Sequence, residues 1–256
     1  GAPVEEIEYV CAGINHQAFY LDYKVNGQNA YPKIREAIKR PEVAAEEPVR
    51  IEMFRHLKYF PTESSGHNSE YVAWFRKRPD LIVKYCTHGT GWNPGEHAFI
   101  LKDYLRLKDT WEQEYIDWLE NGTVDLACGE EYASNIFNAL FGDNTPYNFN
   151  ANMRNKGQIT NLDMGACVET PVLASKYGIH SLGAITLPQN LAALVGYSSR
   201  IEELAVRAVV EKDTDKVFAA ILLDPLTSSV CSMDEIHRMV TEMFEQNAPY
   251  LGYLNT

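Results

Sequence analysis

The sequence lacks nearly every pattern by which common chemistries announce themselves. No Gly-x-Gly-x-x-Gly follows a strand-like run and no Gly-Lys-Ser/Thr loop occurs, so nothing predicts a nucleotide site within these 256 residues. Neither His-Glu-x-x-His nor Gly-x-Ser-x-Gly is present, which removes the commonest hydrolase signatures. Positive charge is scarce: 23 Lys and Arg stand against 35 Asp and Glu, a formal net charge of -12. The average field of such a surface repels a phosphate polyanion, so neither a nucleic acid nor an anionic membrane is expected as partner. A neutral ligand, or one held through a bound cation, fits better. The five cysteines form no Cys-x-x-Cys and no even-numbered framework, and no charged-then-apolar leader precedes Cys11, so the expected location is cytoplasmic. No apolar run approaches the ~18 residues a membrane helix needs. Internal repeats, low-complexity tracts and obvious linkers are also missing. The chain starts at Gly1 without a Met, which reads as a tag scar or a processed fragment.

An apolar share of 45% with 11% aromatic residues predicts a folded chain with a sizeable core, as one large domain or two small ones. The stretch that stands out is Cys11-Ala12-Gly13-Ile14-Asn15-His16, at the end of a strand-like run. Thiolate and neutral imidazole both suit a soft or borderline divalent metal, and an amide such as Asn15 can hydrogen-bond a sugar or a phosphate. The same spacing equally describes a buried thiol and a hydrogen-bonded core ring.

Ile7 to Ile14 and Ala18 to Val25 read as two strands with His16 at their junction, and Asn26-Gly27 as the turn that follows. A helix is expected over Lys33 to Lys39, stopped by Pro41, and a better one after Glu46-Glu47-Pro48, with Ile51, Phe54 and Leu57 at helical spacing. The next segment, Tyr59 to Tyr71, is dense in proton-carrying groups. It reads either as a surface loop whose Ser64 or Ser65 caps a helix, or as an active-site loop in which His67, Glu70 and Tyr71 face a polar ligand. Lys84 to Glu96 looks irregular. From His97 to Glu120 the set Leu101, Tyr104, Leu105, Trp111, Tyr115, Trp118 and Leu119 predicts one long amphipathic helix, its stripe serving the core or a subunit interface. A shorter helix is expected over Glu130 to Phe141, then strands near Gln158 to Leu162 and Ala166 to Leu173 in a small antiparallel sheet. The last third is helical: Pro188 to Glu211, a helix capped by Asp213, a break at Asp224-Pro225, and a capping box of Ser232 with Glu235. The expected class is α+β, a mostly helical body carrying small antiparallel or mixed sheets.

The order of the motifs adds what none carries alone. Cys11 to His16, Phe60-Pro61-Thr62-Glu63-Ser64-Ser65, His67, Ser69-Glu70-Tyr71 and Trp74-Phe75 come first. Glu131-Tyr132-Ala133-Ser134, then Asn152-x-x-Asn155-x-Gly157-x-Ile159-x-Asn161-Leu162, Cys167-Val168-Glu169, Leu187-Pro188, Asp224-Pro225 and Asp234-Glu235-Ile236 follow. From end to end this resembles the second half of glycoside hydrolase family 4, nearest its α-galactosidase branch and next its α-galacturonidases. The resemblance implies a C-terminal α+β domain over residues 1–256, with the N-terminal Rossmann domain that binds NAD absent from this chain.

It also implies a redox route to glycoside cleavage. NAD takes a hydride from sugar C3, a divalent metal, usually Mn2+, polarises the C2 and C3 oxygens, and a tyrosine removes the C2 proton. The aglycone leaves by elimination, water adds and the hydride returns. A ketone at C3 acidifies C2–H, so no pair of carboxylates at glycosidase spacing is needed. On the matching motifs, the resemblance makes His16 a metal ligand, Asn15 a sugar contact and Tyr71 the catalytic base, with Tyr59 as rival. His67, Glu63 and Asn152 become substrate-binding candidates. The family's other protein ligand is an upstream Cys, so Cys11 reverts to a core thiol. Gly66 stands where the branch usually carries an acid.

The expected activity is thus cleavage of α-galactosides by the complete protein, this chain alone being inactive, with a sugar as small-molecule substrate, a homo-oligomeric assembly and a Rossmann half that is conceivably a separate chain. The alternatives are an α-galacturonidase of the same family, or an isolated sugar-binding or oligomerisation module without turnover. Retention of His16 and Tyr71 favours the enzyme, because a binding module needs neither base nor metal ligand.

Overall fold

Ile14 and Gln17 face each other across a two-residue turn, and that tight hairpin is the point from which the sheet is laid out. The computed structural model describes residues 2–86, 99–123, 127, 129 and 131–254. Strands β1 (Ile7–Ile14) and β2 (Gln17–Val25) form this hairpin, and Asn26-Gly27, both with positive φ, turn the chain into β3 (Gln28–Asn29). Left-handed backbone at both turn positions is the geometry that Asn-Gly supplies most cheaply. Helices α1 (Tyr31–Ala37), α2 (Pro41–Glu46) and α3 (Pro48–Leu57) follow. Pro41 therefore opens a helix as well as closing off the one before it, since a first-turn proline forfeits no intrahelical hydrogen bond.

Strand β4 (Phe60–Pro61) pairs with β2, and helices α4 (Ser65–Glu70) and α5 (Pro79–Tyr85) come next. Of the irregular stretch expected at Lys84 to Glu96, residues 87–96 lie outside the described residues. The single helix expected from His97 to Glu120 is two, α6 (Phe99–Leu107) and α7 (Trp111–Asn121), with residues 97–98 outside the described ones. Asp109 and Thr110 compete for backbone hydrogen bonds at the break. The stripe is not core in this chain: Tyr104, Trp111, Tyr115, Trp118 and Leu119 are all exposed, Trp118 by 51%.

After α8 (Ala133–Phe141), strands β5 (Tyr147–Arg154), β6 (Cys167–Ser175) and β7 (Gly178–Ser181) return to the first hairpin. The sheet order is β3-β2-β1-β6-β5, with β4 on β2 and β7 on β6, and every strand pair is antiparallel. The expected strand near Gln158 to Leu162 is only an isolated bridge, Ile159 to Ile185, and the strand lies earlier, at β5. Here Asn155 captures the chain: its buried side chain donates to the carbonyls of Ile159, Leu162 and Asp163 and accepts from the amides of Gly157 and Ile159. Side-chain bonds thus take up several of the backbone groups that a longer ladder would use, and only the pair of bonds with Ile185 remains.

The C-terminal third is helical as expected: α9 (Gln189–Glu211), α10 (Thr214–Leu223), α11 (Pro225–Val230), α12 (Met233–Gln246) and α13 (Ala248–Leu251). Asp213 caps α10 and the Ser232–Glu235 capping box opens α12. The main core lies between the sheet and its helices, where Ile14 and Phe19 of the hairpin and Val168 of β6 meet Met53 of α3 and Leu191 and Val195 of α9. Each such side chain contributes about 1.5–3 kcal/mol by leaving water. This packing holds the hairpin tip against α3, α4 and α9. No described helix is long and apolar enough to cross a membrane.

Candidate active site

The tip of the β1–β2 hairpin is Asn15-His16, and its tightness has a sequence cause two residues earlier. A Cβ at Gly13 would stand 2.2 Å from the Gln17 carbonyl oxygen and 2.6 Å from Ala18 Cα, so only glycine lets the two strands approach this closely. His16 itself takes φ 62°, which aims its ring away from the strand direction.

The Glu63 loop is fixed by four separate ties, one to β2, one to α3 and two within the loop and α4. Thr62 donates its amide and its hydroxyl to the Ala18 carbonyl, at 3.0 and 3.2 Å. Arg50 Nη2 donates to the Pro61 carbonyl at 3.0 Å while its Nη1 pairs with Glu47 at 3.2 Å. The buried Asn68 amide donates to the carbonyls of Glu63 and Ser64, at 2.7 and 3.0 Å. Ser64 caps α4, its Oγ accepting from the His67 amide at 3.3 Å. The helix-cap reading of Ser64 holds, and the capped turn also places Glu63 and His67 beside His16.

Glu63 Oε2 lies 2.7 Å from His16 Nδ1, and Glu63 Oε1 lies 3.3 Å from His67 Nδ1. Oε1 also accepts from the Ser64 amide at 2.7 Å. Burial pushes Glu63 up, but the Ser64 amide and the two imidazoles outweigh it and hold the carboxyl below its ordinary range. The two imidazoles are 4.7 Å apart by centroid, and the Tyr71 ring stacks on His16 at 5.2 Å and 10°. Gln17 donates to the Tyr71 carbonyl at 3.1 Å, fixing the end of α4 to the hairpin. The rival Tyr59 instead packs against the apolar core and meets Tyr31 edge-on.

Of the sequence-predicted residues, His16, Glu63, His67 and Tyr71 thus come together. Asn15 is exposed beside them at the turn. Asn152 lies two strands away, exposed on β5, in register with Glu169, which in turn faces Gly13. Cys11 is a buried thiol pushed up to about 12 by its burial and by Glu169, with the Asn150 amide donating to it, which suits a core group and not a ligand.

Two acids come to the site that sequence reasoning did not assign to it. Glu169 is half-buried and accepts from Asn150 at 3.2 Å; burial first, then the nearby Glu63 charge, raise its carboxyl, with Asn150 and His16 opposing. Glu202 of α9 is reached by solvent yet crowded enough by protein that its carboxyl is raised as well, His16 again opposing. The motif Cys167-Val168-Glu169 contains a signal for the first. Glu202 has none, being one of several acids on a long helix. Tyr71 is likewise pushed up, by burial and by Glu70, Glu202 and Glu63. The cleft is therefore rich in negative charge and imidazole. Among the described residues, His16, Glu63 and His67 form the group whose ligand atoms, one from each, all lie within 4.8 Å of one another. Imidazole with carboxylate is a donor set suited to a borderline divalent ion such as Mn2+.

Residues 11–227 match the family described as the family 4 glycosyl hydrolase C-terminal domain. The chain belongs to this family. Among family 4 relatives it is 34% identical to an α-galactosidase of Rhizobium meliloti, across 98% of this chain and 52% of that protein, and 33% identical to an α-galactosidase of Bacillus subtilis, across 98% and 57%. An α-galacturonidase of Thermoanaerobacterium saccharolyticum is 28% identical over 97% and 55%. The chain thus spans about half the length of the curated relatives it matches. Its fold superposes on the Bacillus subtilis protein lplD with a TM-score of 0.76 at 23% identity, covering 93% of this chain and 56% of that one. A 6-phospho-α-glucosidase from gut microorganisms, solved in complex with NAD and Mn2+, gives 0.65 at 19% identity, covering 95% and 55%.

Proposed function

We propose that residues 1–256 form, as one domain, the sugar- and metal-binding part of an NAD- and Mn2+-dependent glycosidase that cleaves α-galactosides. The observation that carries the reading is the meeting of His16, Glu63, His67 and Tyr71 at one hairpin tip in a chain 34% identical to an α-galactosidase. When bound, the nicotinamide supplies a hydride acceptor at sugar C3 and the divalent ion draws negative charge onto the neighbouring oxygens.

This chain's own residues do the rest of the work assigned to them. His16 is the metal ligand from this half. The Tyr71 phenolate oxygen would take the proton from C2 once C3 is a ketone, becoming the phenol. Its upward shift in the cleft as it stands is set by burial and three carboxylates, and a cation beside His16 reverses the balance of charge that the phenol feels. Asn15 and Asn152 offer amides to sugar hydroxyls, and His67 lies beside them as a polar neighbour of the substrate. Glu63, Glu169 and Glu202 make the cleft a poor seat for a second anion, which supports a neutral galactoside over a galacturonide.

NAD is bound by residues outside this chain, within the same polypeptide or as a separate Rossmann half, and the chain alone is inactive. The exposed aromatic stripe of α6 and α7 serves a homo-oligomer. The test is release of nitrophenol from p-nitrophenyl α-galactoside by the full-length protein and by this chain, with NAD, Mn2+ and a reductant each omitted in turn. The reading predicts turnover by the full-length protein alone, lost without NAD or metal. Cofactor-independent turnover would refute it, and silence of the full-length protein with every addition present would favour a sugar-binding module.

A further inference from the structure

Glu63 is expected from the resemblance to touch substrate, yet its hydrogen bonds run elsewhere. Oε2 is 2.7 Å from His16 Nδ1, Oε1 is 3.3 Å from His67 Nδ1, and Oε1 also takes the Ser64 amide at 2.7 Å. The carboxylate is itself held in place from behind, because the Asn68 amide binds the Glu63 carbonyl at 2.7 Å and Thr62 is fastened to Ala18. We infer that Glu63 is a positioning residue: its Oε2 accepts the Nδ1 proton of His16, fixes that ring, and so leaves Nε2 of His16 as the atom that ligates the metal, while Oε1 neighbours His67 as a charge.

The physical argument is a matter of donors and acceptors. A carboxylate only accepts, so the His16 Nδ1 hydrogen-bonded to it must carry hydrogen, and a neutral imidazole protonated at Nδ1 has its lone pair on Nε2. A carboxylate behind a ligating histidine sets the tautomer, holds the ring plane and raises the basicity of the ligating nitrogen. His67 shares the field of the same carboxylate, its Nδ1 3.3 Å from Oε1 and its ring centroid 4.7 Å from that of His16. At His67 the Ser64 hydroxyl, 3.2 Å from the same Nδ1, adds a second oxygen on that side. The competing arrangement uses the same three groups differently: Glu63, His16 and His67 all grip the ion directly, with Nδ1 of each ring as ligand atom, and the proton then sits on Nε2.

The inference deepens the metal role proposed for His16 and rests on it, but its main readout needs no metal, NAD or sugar. The 256-residue chain is labelled with 15N-histidine, its seven histidines are assigned through single variants, and the two ring nitrogens of His16 and His67 are read by long-range 15N–1H correlation at about pH 8, where unperturbed imidazoles are neutral. Protonated Nδ1 and bare Nε2 at His16 is the expected result. A proton on Nε2 of His16 overturns the inference and supports direct ligation through Nδ1. Glu63→Gln provides the second readout: with its amide oxygen kept on the Ser64 amide, its NH2 faces His16, whose proton must switch to Nε2. The Mn2+ dissociation constant, followed by electron paramagnetic resonance, is expected to weaken by about 10–100-fold. Unchanged tautomers in Glu63→Gln would contradict the positioning role. Expected tautomers with no Mn2+ binding even in the full-length protein would leave the orientation by Glu63 intact and remove the metal role from the proposed function.

Discussion

The rings of His16 and Tyr71 lie face to face, their centroids 5.2 Å apart and their planes 10° from parallel. A residue from the turn of a hairpin and a residue from the end of a helix 55 positions later are thereby held as one unit, with the Gln17 amide pinning the Tyr71 backbone from below. Tyr71→Phe keeps the ring and removes only the hydroxyl. The fold and the thermal midpoint of the chain should be nearly unchanged, while kcat of the full-length protein falls by about 10²–10⁴-fold, the usual worth of a general base. Parallel melting curves and steady-state kinetics check this; Tyr59→Phe, at a ring that packs against the core, should leave kcat close to the parent value.

Gly13 is required by space, since an added Cβ would meet the backbone of Gln17 and Ala18. Gly13→Ala puts a methyl against the Gln17 carbonyl oxygen at 2.2 Å, so the hairpin must open, at a cost of about 1–3 kcal/mol. At Gly27, with φ 70° and nothing within 4 Å of an added Cβ, alanine meets backbone strain alone. Urea denaturation of the two variants should rank Gly13→Ala as the less stable. It should also be the one whose Mn2+ affinity drops, because only that turn carries His16.

Glu169 makes stability depend on pH in a definite direction. Burial raises its folded pKa above the unfolded value, so the folded chain holds this proton more tightly than the unfolded chain does. The stabilisation is complete below the unfolded carboxylate pKa and is lost as pH rises through the folded value. Glu169→Gln has no such loss. Relative to the parent, the variant should therefore gain stability between about pH 4 and neutrality. Glu63, held low, contributes with the opposite sign: its stabilisation is present above the unfolded pKa and is lost as pH falls through the folded one. Chemical denaturation at a series of pH values separates the two.

The exposed faces of α6 and α7 lead to a prediction about association. Tyr104, Trp111, Tyr115 and Leu119 are each more than half exposed, a density of large apolar groups that isolated monomers seldom show. Sedimentation of the chain should reveal concentration-dependent self-association, reduced by Leu119→Glu. A monomer insensitive to dilution that melts cooperatively at high temperature would count against it.

What the sequence made legible was local. Aromatic and β-branched content marked the first two strands and Asn26-Gly27 the turn after them, and side-chain capping marked α10 and α12, because each of these is decided within a few residues. The pairing of Gly13 with Glu169, which joins the first hairpin to β6 and β5 in one sheet, is a long-range choice that no local pattern records. The strand misplaced at Gln158 to Leu162 has the same origin, since Asn155 ties that backbone through side-chain bonds that resemble nothing in a periodicity. His16, His67 and Tyr71 stood out locally as groups that could carry chemistry, but their roles, and Glu63 altogether, came only through the order of the motifs. Glu202 was not legible at all, because its place beside His16 comes from how α9 packs on the sheet.

The measurement that tests the central claim most directly follows the proton that Tyr71 is proposed to remove. The full-length protein is supplied with NAD, Mn2+ and an α-galactoside in heavy water, and the released galactose is examined by NMR or mass spectrometry for deuterium at C2. The account predicts deuterium at C2, because the proton taken there exchanges with solvent before one is returned, and predicts release slowed by about 10²–10⁴-fold in Tyr71→Phe. Galactose released at full rate with ordinary hydrogen at C2, and equally by Tyr71→Phe, would contradict it.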